Sequence, residues 1–472
     1  MRAVILLLGI AVLASIANTQ QAPQPAMPSD ADIRQILVDR IDVQQQSVGI
    51  VVGVIGPDGR RIIAYGHPDK GDPRPVDGNT VFEIGSMTKV FTSLLLADMV
   101  QRGEVALDDP VAKYLPASVK MPQRNGRQIT LVDLSTHTSG LPPLPTNFAP
   151  KDPANPYADY SVDQLYQFLS SYQLTRDIGS QYGYSNLGGG LLGHVLALRA
   201  GMGYEALVRS RICDPLGMKD TRITLTPEMK ARLAVGHNQA LEPVENWDLP
   251  TLAGAGALRS TANDILTFLA ANLGYVKSPL APAMSAMLKV RRPTGQPNLE
   301  IALGWHVFTT NGKEIVWHNG GTGGYRSFMG FDPTARIGVV LLSNTSTTIG
   351  VDDIGRHLLD ASMPLAGPQK LEQKPATPGT EDALRRLIQG LTNGKPDYDS
   401  MSPALAQATQ QQLPTLQAVL GQMGALQSLA FIGVDAQGSD TYTTKFEHGA
   451  LEWHLRLGPD GRIATALVRP AQ

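Results

Sequence analysis

The chain has one cysteine, Cys213, in 472 residues, so no disulfide can form within it. The segment around it, Ser-Arg-Ile-Cys-Asp-Pro-Leu-Gly-Met, shows no partners for a nucleophile or a metal ligand, and a buried inert thiol is expected. Excess charge of either sign is lacking too. Forty Lys and Arg face 42 Asp and Glu, for a net charge of −2. No run of Lys or Arg exceeds two residues, which argues against a nucleic-acid partner. The nine histidines show no H-E-x-x-H spacing, so a zinc hydrolase is not supported. A G-x-S-x-G elbow is also missing, which argues against an α/β-hydrolase. No metal or cofactor is expected.

Long apolar runs are confined to the N-terminus. Arg2 precedes an apolar stretch from Ala3 to about Ala14, with small residues at Ser15 and Ala17. This is the pattern of a secretory signal over 1–17, cut after Ala17. No later stretch approaches the ~18 apolar residues of a membrane span. The mature chain is therefore expected to be exported, periplasmic or extracellular, with no membrane span of its own.

A polar, Pro-containing tether follows at 18–29. Ile33, Ile36, Leu37 and Ile41 recur at helical spacing. Two apolar runs around Pro57-Asp58-Gly59 read as a hairpin. Ser86 to Gly103 reads as a helix closing on a glycine cap. The region 110–270 is helix-rich with long Pro- and Gly-bearing loops. Strands return in LGWHVF, EIVWHNG, YRSFMGFD and RIGVVLLSN between Leu303 and Asn344, followed by a helix at about 350–361. Strands at both ends with helices between imply one antiparallel sheet covered by helices, an α/β or α+β sandwich over 30–363. A Pro-rich linker spans 364–380. Residues 381–472 read as a small separate α+β domain without a defensible catalytic cluster.

Three short motifs carry chemistry. In Phe-Glu-Ile-Gly-Ser-Met-Thr-Lys, Ser86 and Lys89 lie three apart at a helix start and share a face. A serine hydroxyl needs a base within hydrogen-bond reach, and a buried lysine can supply it. Ser86 is the only serine with Lys at +3, yet S-x-x-K alone is weak. In Tyr-Ser-Asn, Tyr184 and Asn186 straddle Ser185 ahead of a glycine run. A phenol beside an ammonium loses its proton more easily, so Tyr184 could shuttle protons. In Trp-His-Asn-Gly-Gly, a strand delivers His318, Asn319 and Gly320. Bare glycines there let a substrate carbonyl come close to Ser86, with the Ser86 N–H as one oxyanion donor and that of Gly320 or Gly321 as the second.

This order, S-x-x-K, then a triplet ending in Asn, then a K-T-G-type triplet, resembles the motif set of penicillin-binding proteins and serine β-lactamases. The chain resembles the class C β-lactamase-like serine hydrolases, which include D-alanyl-D-alanine carboxypeptidases and family VIII esterases. Segments 136–142, 215–221, 260–269 and 336–344 extend the likeness. The resemblance implies a β-lactamase/transpeptidase-like fold: an antiparallel sheet flanked by helices, plus a helical lobe, with the site between them. It implies an acyl-enzyme on Ser86, with Lys89 as base or proton shuttle, Tyr184 as acid and base, the N–H groups of Ser86 and Gly321 as the oxyanion hole, and Asn186, His318, Asn319 and Gly320 binding substrate. The substrate would be a β-lactam, a peptidoglycan peptide or an ester. A carboxylesterase, or a slowly turning-over penicillin- or peptidoglycan-binding protein, are the alternatives. Two departures stand out. Ile178 precedes Gly179 where Pro is common. His318 replaces a lysine that would attract a substrate carboxylate, and His is largely neutral above its reference pKa of about 6.5. His318 is expected to donate a hydrogen bond toward substrate.

Overall fold

The computed structural model describes residues 27–470 apart from 311, 348–349, 367–370 and 436–437. The expected signal and most of the tether lie outside the described residues. Among those residues no helix is long and apolar enough to cross a membrane.

Helix α1 spans Asp30–Val38 behind a Ser29/Asp32 capping box and runs on into a π-type turn over Asp39–Val43. Its buried residues, Ile33 and Leu37, lie four apart on one face. Strands β1 (Gly49–Gly56) and β2 (Gly59–Gly66) form the expected hairpin, with Gly56 opposite Gly59. Gly59 takes φ +100°, which only glycine adopts cheaply.

Six further strands complete the sheet: β3 (Arg292–Pro293), β4 (Leu299–Ile301), β5 (His306–Thr310), β6 (Lys313–Gly321), β7 (Arg326–Asp332) and β8 (Ile337–Ser343). The spatial order is β2-β1-β8-β7-β6-β5-β4-β3, and every pairing is antiparallel. Strands from both ends of the region 30–363 thus meet at the β1–β8 pair, as expected.

Strand β1 reads as an unbroken apolar run because both its faces are covered. Val51 and Ile55 join the large core of the helical side, while Ile50, Val52 and Val54 pack with Ile33, Leu37, Ile354 and Leu358 on the other. The helix after β8 therefore covers the outer face.

Four helices position the chemistry: α2 (Thr88–Gln101), α3 (Asn186–Ala200), the short α4 (Ala253–Gly256) and α5 (Ala262–Asn272). Helix α2 is buried on every face from Thr88 to Met99, the behaviour of a helix apolar all round. It ends where Gly103 turns left-handed at φ +68°. Helix α6 (Asp352–Leu359) follows β8.

Beyond it, helices α7 (Thr380–Thr392) and α8 (Pro403–Met423) pack on the four-stranded sheet β9 (Leu426–Val434), β10 (Asp440–Phe446), β11 (Gly449–Leu457) and β12 (Ile463–Pro470). Their core, with Leu384, Tyr442 and Trp453, shares no residue with the two cores of the larger part. The Pro-rich stretch read as a linker makes a backbone bridge to the C-terminal sheet. Glu372 and Val434 exchange backbone hydrogen bonds at 2.8 and 3.0 Å, because an edge strand offers unpaired N–H and C=O groups.

Candidate active site

Ser86 lies in a 3₁₀ turn, Gly85–Met87, at the head of α2. Lys89 is one turn on and buried, 2% exposed. Its Nζ donates to Ser86 Oγ at 2.9 Å, to Asn186 Oδ1 at 2.8 Å and to the Ala255 carbonyl at 2.7 Å. Those three acceptors take all three protons of an ammonium. Burial opposes the charge and brings Lys89 down from 10.5 to about 7. A neutral amine would have two protons for Asn186 and Ala255 and a lone pair facing the Ser86 hydroxyl. Helix α3 can come this close because Gly189 has no side chain: a Cβ there would stand 3.0 Å from Lys89 Cε.

The Tyr-Ser-Asn triplet brackets the start of α3. Ser185 is its N-cap, accepting from the Gly188 N–H at 2.9 Å and donating to the Pro142 carbonyl at 2.6 Å. Asn186 gives its oxygen to Lys89 and donates through Nδ2 to the Tyr157 hydroxyl at 3.3 Å, so both ends of its amide are engaged within the protein. Tyr184 lies against His137, ring centroids 4.6 Å apart. Lys89 Nζ sits over the Tyr184 ring face, 4.9 Å from its centroid. The expectation of an easily lost phenol proton is corrected here. Burial raises the Tyr184 pKa well above its ordinary 10, and a hydrogen bond with Ser86 only partly offsets this. Lys89 Nζ meets the ring face rather than the hydroxyl, and burial favours the protonated phenol.

Strand β6 closes the site. Its last residues, from His318 on, have no partner from β5, whose pairing ends at Trp317, so their free edge faces the Ser86 turn. The glycines of this edge serve the protein's own backbone. A Cβ on Gly320 would collide with the Ile84 carbonyl and come within 2.5 Å of Ser327 Oγ, and one on Gly85 would stand 2.7 Å from the Gly321 nitrogen. They let the strand and the Ser86 turn touch, a nearer role than the substrate approach expected from sequence. A cavity of about 400 Å³ opens along this edge, lined by Ser86, Tyr184, Asn319, Gly320, Gly321, Arg326, Gly350 and Asp352. A second, of about 480 Å³, shares Tyr184 and Asn319 and adds Tyr182, His306, Phe308, Trp317 and Arg356. Together they make one elongated cleft, polar at the serine and aromatic beyond it.

Residues 30–363 match the family described as Beta-lactamase. The chain belongs to the β-lactamase family. Over 376 residues it is 31% identical to the D-alanyl-D-alanine-carboxypeptidase/endopeptidase AmpH of Escherichia coli K12, covering 76% of this chain and 95% of AmpH. It is 27% identical over 352 residues to a β-lactamase of Pseudomonas fluorescens, covering 66% of this chain and 94% of that one. Among solved structures, a β-lactamase/D-alanine carboxypeptidase from Yersinia pestis superposes with a TM-score of 0.59 at 26% identity, over 68% of this chain and 95% of that one. A class C β-lactamase from Rhodobacter sphaeroides gives 0.58 at 26%, over 67% and 94%. These relatives make the chain an enzyme of the serine-hydrolase type with the class C β-lactamase fold.

Within this β-lactamase family member, His318 takes an unexpected place. It is fully buried beside His306, ring centroids 5.2 Å apart. Its Nδ1 lies 2.6 Å from the Asn319 carbonyl, which makes that nitrogen the protonated one. Burial, then His306, then Lys89 hold its pKa well below 6.5. His318 is thus a neutral wall behind the cleft, because strand alternation turns it inward while Asn319 and Gly321 face outward. Asn319 Nδ2 donates to Asp352, whose own pKa burial raises.

Sequence reasoning missed the Ala255 carbonyl, Tyr157, Arg326 and Asp352. A backbone carbonyl carries no sequence signal. Tyr157 comes from a loop and Asp352 from a helix read only as cover. Arg326 lies two residues beyond Gly324, the last glycine of the run that starts at Gly320, and could have been found by asking which cation stands near that run. No cluster of three or more His, Cys, Asp or Glu able to hold a metal occurs among the described residues.

Proposed function

We propose that this protein hydrolyses a β-lactam or D-alanyl-D-alanine-type amide through an acyl-enzyme on Ser86. One observation carries the reading: a buried Lys89 amine, brought to about 7, stands 2.9 Å from Ser86 Oγ. The neutral amine takes the hydroxyl proton as Oγ bonds to the substrate carbonyl carbon. The oxyanion rests on the N–H groups of Ser86 and Gly321. Tyr184, neutral, gives its proton to the departing nitrogen as the C–N bond breaks, and the Lys89 ammonium reprotonates Tyr184. Water then attacks the ester carbonyl, its proton passing to Lys89, and Ser86 Oγ leaves protonated. Asn186 holds Lys89 in place, and Asn319 and Gly320 form the wall along which substrate lies.

The names of the relatives support carboxypeptidase and β-lactamase chemistry. A second reading, a carboxylesterase, is favoured by one observation: the family's lysine position holds a buried, neutral His318. Steady-state hydrolysis of nitrocefin, a short-chain nitrophenyl ester and a D-Ala-D-Ala peptide separates the two. Amide turnover well above ester turnover is expected, and ester-only turnover would overturn the first reading. Rates that survive Ser86→Ala would remove both.

Export of the chain to the periplasm or beyond is part of the proposal and rests on the N-terminal pattern Arg2 to Ala17. So is the division into a hydrolase unit at 30–363, a linker at 364–380 and an accessory unit at 381–472, supported by the separate C-terminal core.

A further inference from the structure

Segment 136–142 carries part of the family likeness, and one of its residues breaks a local rule of chain conformation. The short helix Leu131–Ser135 ends with the His137 N–H on the Leu134 carbonyl at 3.3 Å and the Thr138 N–H on the Asp133 carbonyl at 2.9 Å. In that pattern the residue just past the helix turns left-handed, and glycine usually fills the place. Here it is His137, at φ +56°. A residue with a side chain takes that backbone at a cost, which persists where the surroundings impose it. His137 is also 2% exposed. Glycine would satisfy the turn, so something else in the interior calls for the imidazole.

That something is the segment around Tyr184. The Gly183 N–H donates to the His137 carbonyl at 2.8 Å. The Ser185 N–H donates to His137 Nδ1 at 3.2 Å. The two bonds bracket Tyr184 in the chain, and between them the two rings lie together, centroids 4.6 Å apart and planes at 37°. One residue thus grips the same three-residue segment with its carbonyl, its Nδ1 and its ring face. Because Nδ1 accepts, the ring proton is on Nε2. Burial, then Lys89, then His306 hold the His137 pKa well below 6.5, so the accepting lone pair is present at neutral pH.

We infer that His137 is the positioning residue for the general acid: it fixes the main chain on both sides of Tyr184, through its carbonyl and Nδ1, and so keeps the phenol aimed at Ser86 and the departing nitrogen. The inference rests on the serine-hydrolase reading and deepens it. The Tyr184 hydroxyl is bonded with Ser86, and its proton goes to the leaving group as the C–N bond breaks. Its placement therefore matters in proportion to how much the leaving group needs a proton. An amine departs only as it is protonated, whereas a nitrophenolate departs as the anion. Loss of the His137 grip should then cost amide cleavage more than cleavage of an activated ester. A general loosening of the fold would cost both alike.

The test uses two substrates with one acyl group, an acyl-D-Ala-D-Ala peptide and the nitrophenyl ester of the same acyl-D-Ala. The readout is the ratio of kcat/KM, peptide over ester, in the full-length protein and its variants. His137→Gln carries its amide one bond too far out to accept from Ser185, and its ratio should fall about 10- to 100-fold, the range for a small misplacement at a reacting centre. His137→Gly, which the left-handed turn takes without strain, should show the same fall, and it decides the matter if H137Q does not fold. His137→Asn, the conservative variant, keeps an acceptor where Nδ1 stands and tolerates the turn, so it should recover most of the ratio. In Tyr184→Phe the ratio is already low, and adding H137Q should lower it no further. Peptide and ester rates that fall together in H137Q and H137G would overturn the assignment. So would an unchanged ratio, a fall in H137N as deep as in H137Q, or a further fall on the Y184F background. Ser86→Ala, run beside them, tells the two failures apart. If S86A is inactive on both substrates and the ratio ignores position 137, only the His137 assignment is lost. If S86A retains turnover, the serine mechanism itself is lost.

Discussion

Lys89 should make acylation depend on pH with an inflection near neutrality. The amine is buried, and burial brings it from 10.5 to about 7. At about 1.4 kcal/mol per pH unit, that difference corresponds to about 5 kcal/mol against the ammonium form. If the free amine is the base, it is about nine-tenths available at pH 8 and about one-tenth at pH 6. The single-turnover acylation rate, followed by stopped flow with nitrocefin, should rise about tenfold per unit below pH 7 and level off above 8. The same depression affects stability. Between about 7 and 10.5 the unfolded chain binds the proton that the folded chain has released, so stability rises with pH across that window, and the cost is fully present below it. Lys89→Met removes the base and this slope together: acylation should fall by about 10² to 10⁴, and denaturation midpoints should lose the rise between pH 7 and 10. A rate flat from pH 5 to 9, or an inflection near 10, would refute the buried-amine reasoning. The second result would point to a phenolate on Tyr184 instead.

Gly320→Ala forces a Cβ into the Ile84 carbonyl, where neither backbone can yield. Acylation should slow by about 100-fold, the usual result of a small misplacement at a reacting centre, and wild-type rates would contradict the close approach of β6. His318→Lys puts a second amine beside Lys89 in a fully buried position. It should lower the thermal midpoint and push the acylation inflection below 7 through like-charge repulsion; an unchanged midpoint would mean that position 318 opens to solvent. Arg40, 2% exposed, joins Asp353 at 2.5 Å and the Gly350 carbonyl at 2.7 Å, tying the turn after α1 to α6. Arg40→Ala leaves the mostly enclosed Asp353 carboxylate without its cation and should cost about 3 kcal/mol in urea denaturation, whereas a loss below 1 kcal/mol would show the pair to be solvated. Cys213 is buried, and burial pushes its thiol up to about 12, so it should react with a thiol reagent only on unfolding; prompt labelling of the native protein would disprove its inertness.

Much of this architecture was legible because its signals are local. The Pro57-Asp58-Gly59 turn fixes the first hairpin, and the continuous apolar runs of β1 and β8 announce strands covered on both faces. The four strands between 303 and 344 were found, although Leu303–Trp305 proved to precede β5. There the chain turns at Gly304, φ +70°, against Ser93. Ser86, Lys89, Tyr184, Asn186, Asn319, Gly320 and Gly321 do converge, since each motif sits at an element end that the spacing of turns and helices defines. Side-chain direction was the part that sequence does not carry. His318 points inward because of strand parity, and parity is set by the register of β6 against β7, a long-range property. The Lys89–Ala255 contact needs α4 to be placed by the packing of α3. Arg326 reaches the cleft lining only because its partner across the sheet is a glycine. The raised pKa of Tyr184 follows from enclosure by residues from distant segments, where proximity to Lys89 alone suggested the opposite.

The account stands or falls on Ser86 as the nucleophile. Intact-mass spectrometry after brief mixing with benzylpenicillin, followed by peptide mapping, measures this directly. One added penicilloyl group per chain, located on the peptide that holds Ser86 and missing from Ser86→Ala, is the expected result. An adduct on another residue, or turnover by Ser86→Ala at the wild-type rate, would contradict it.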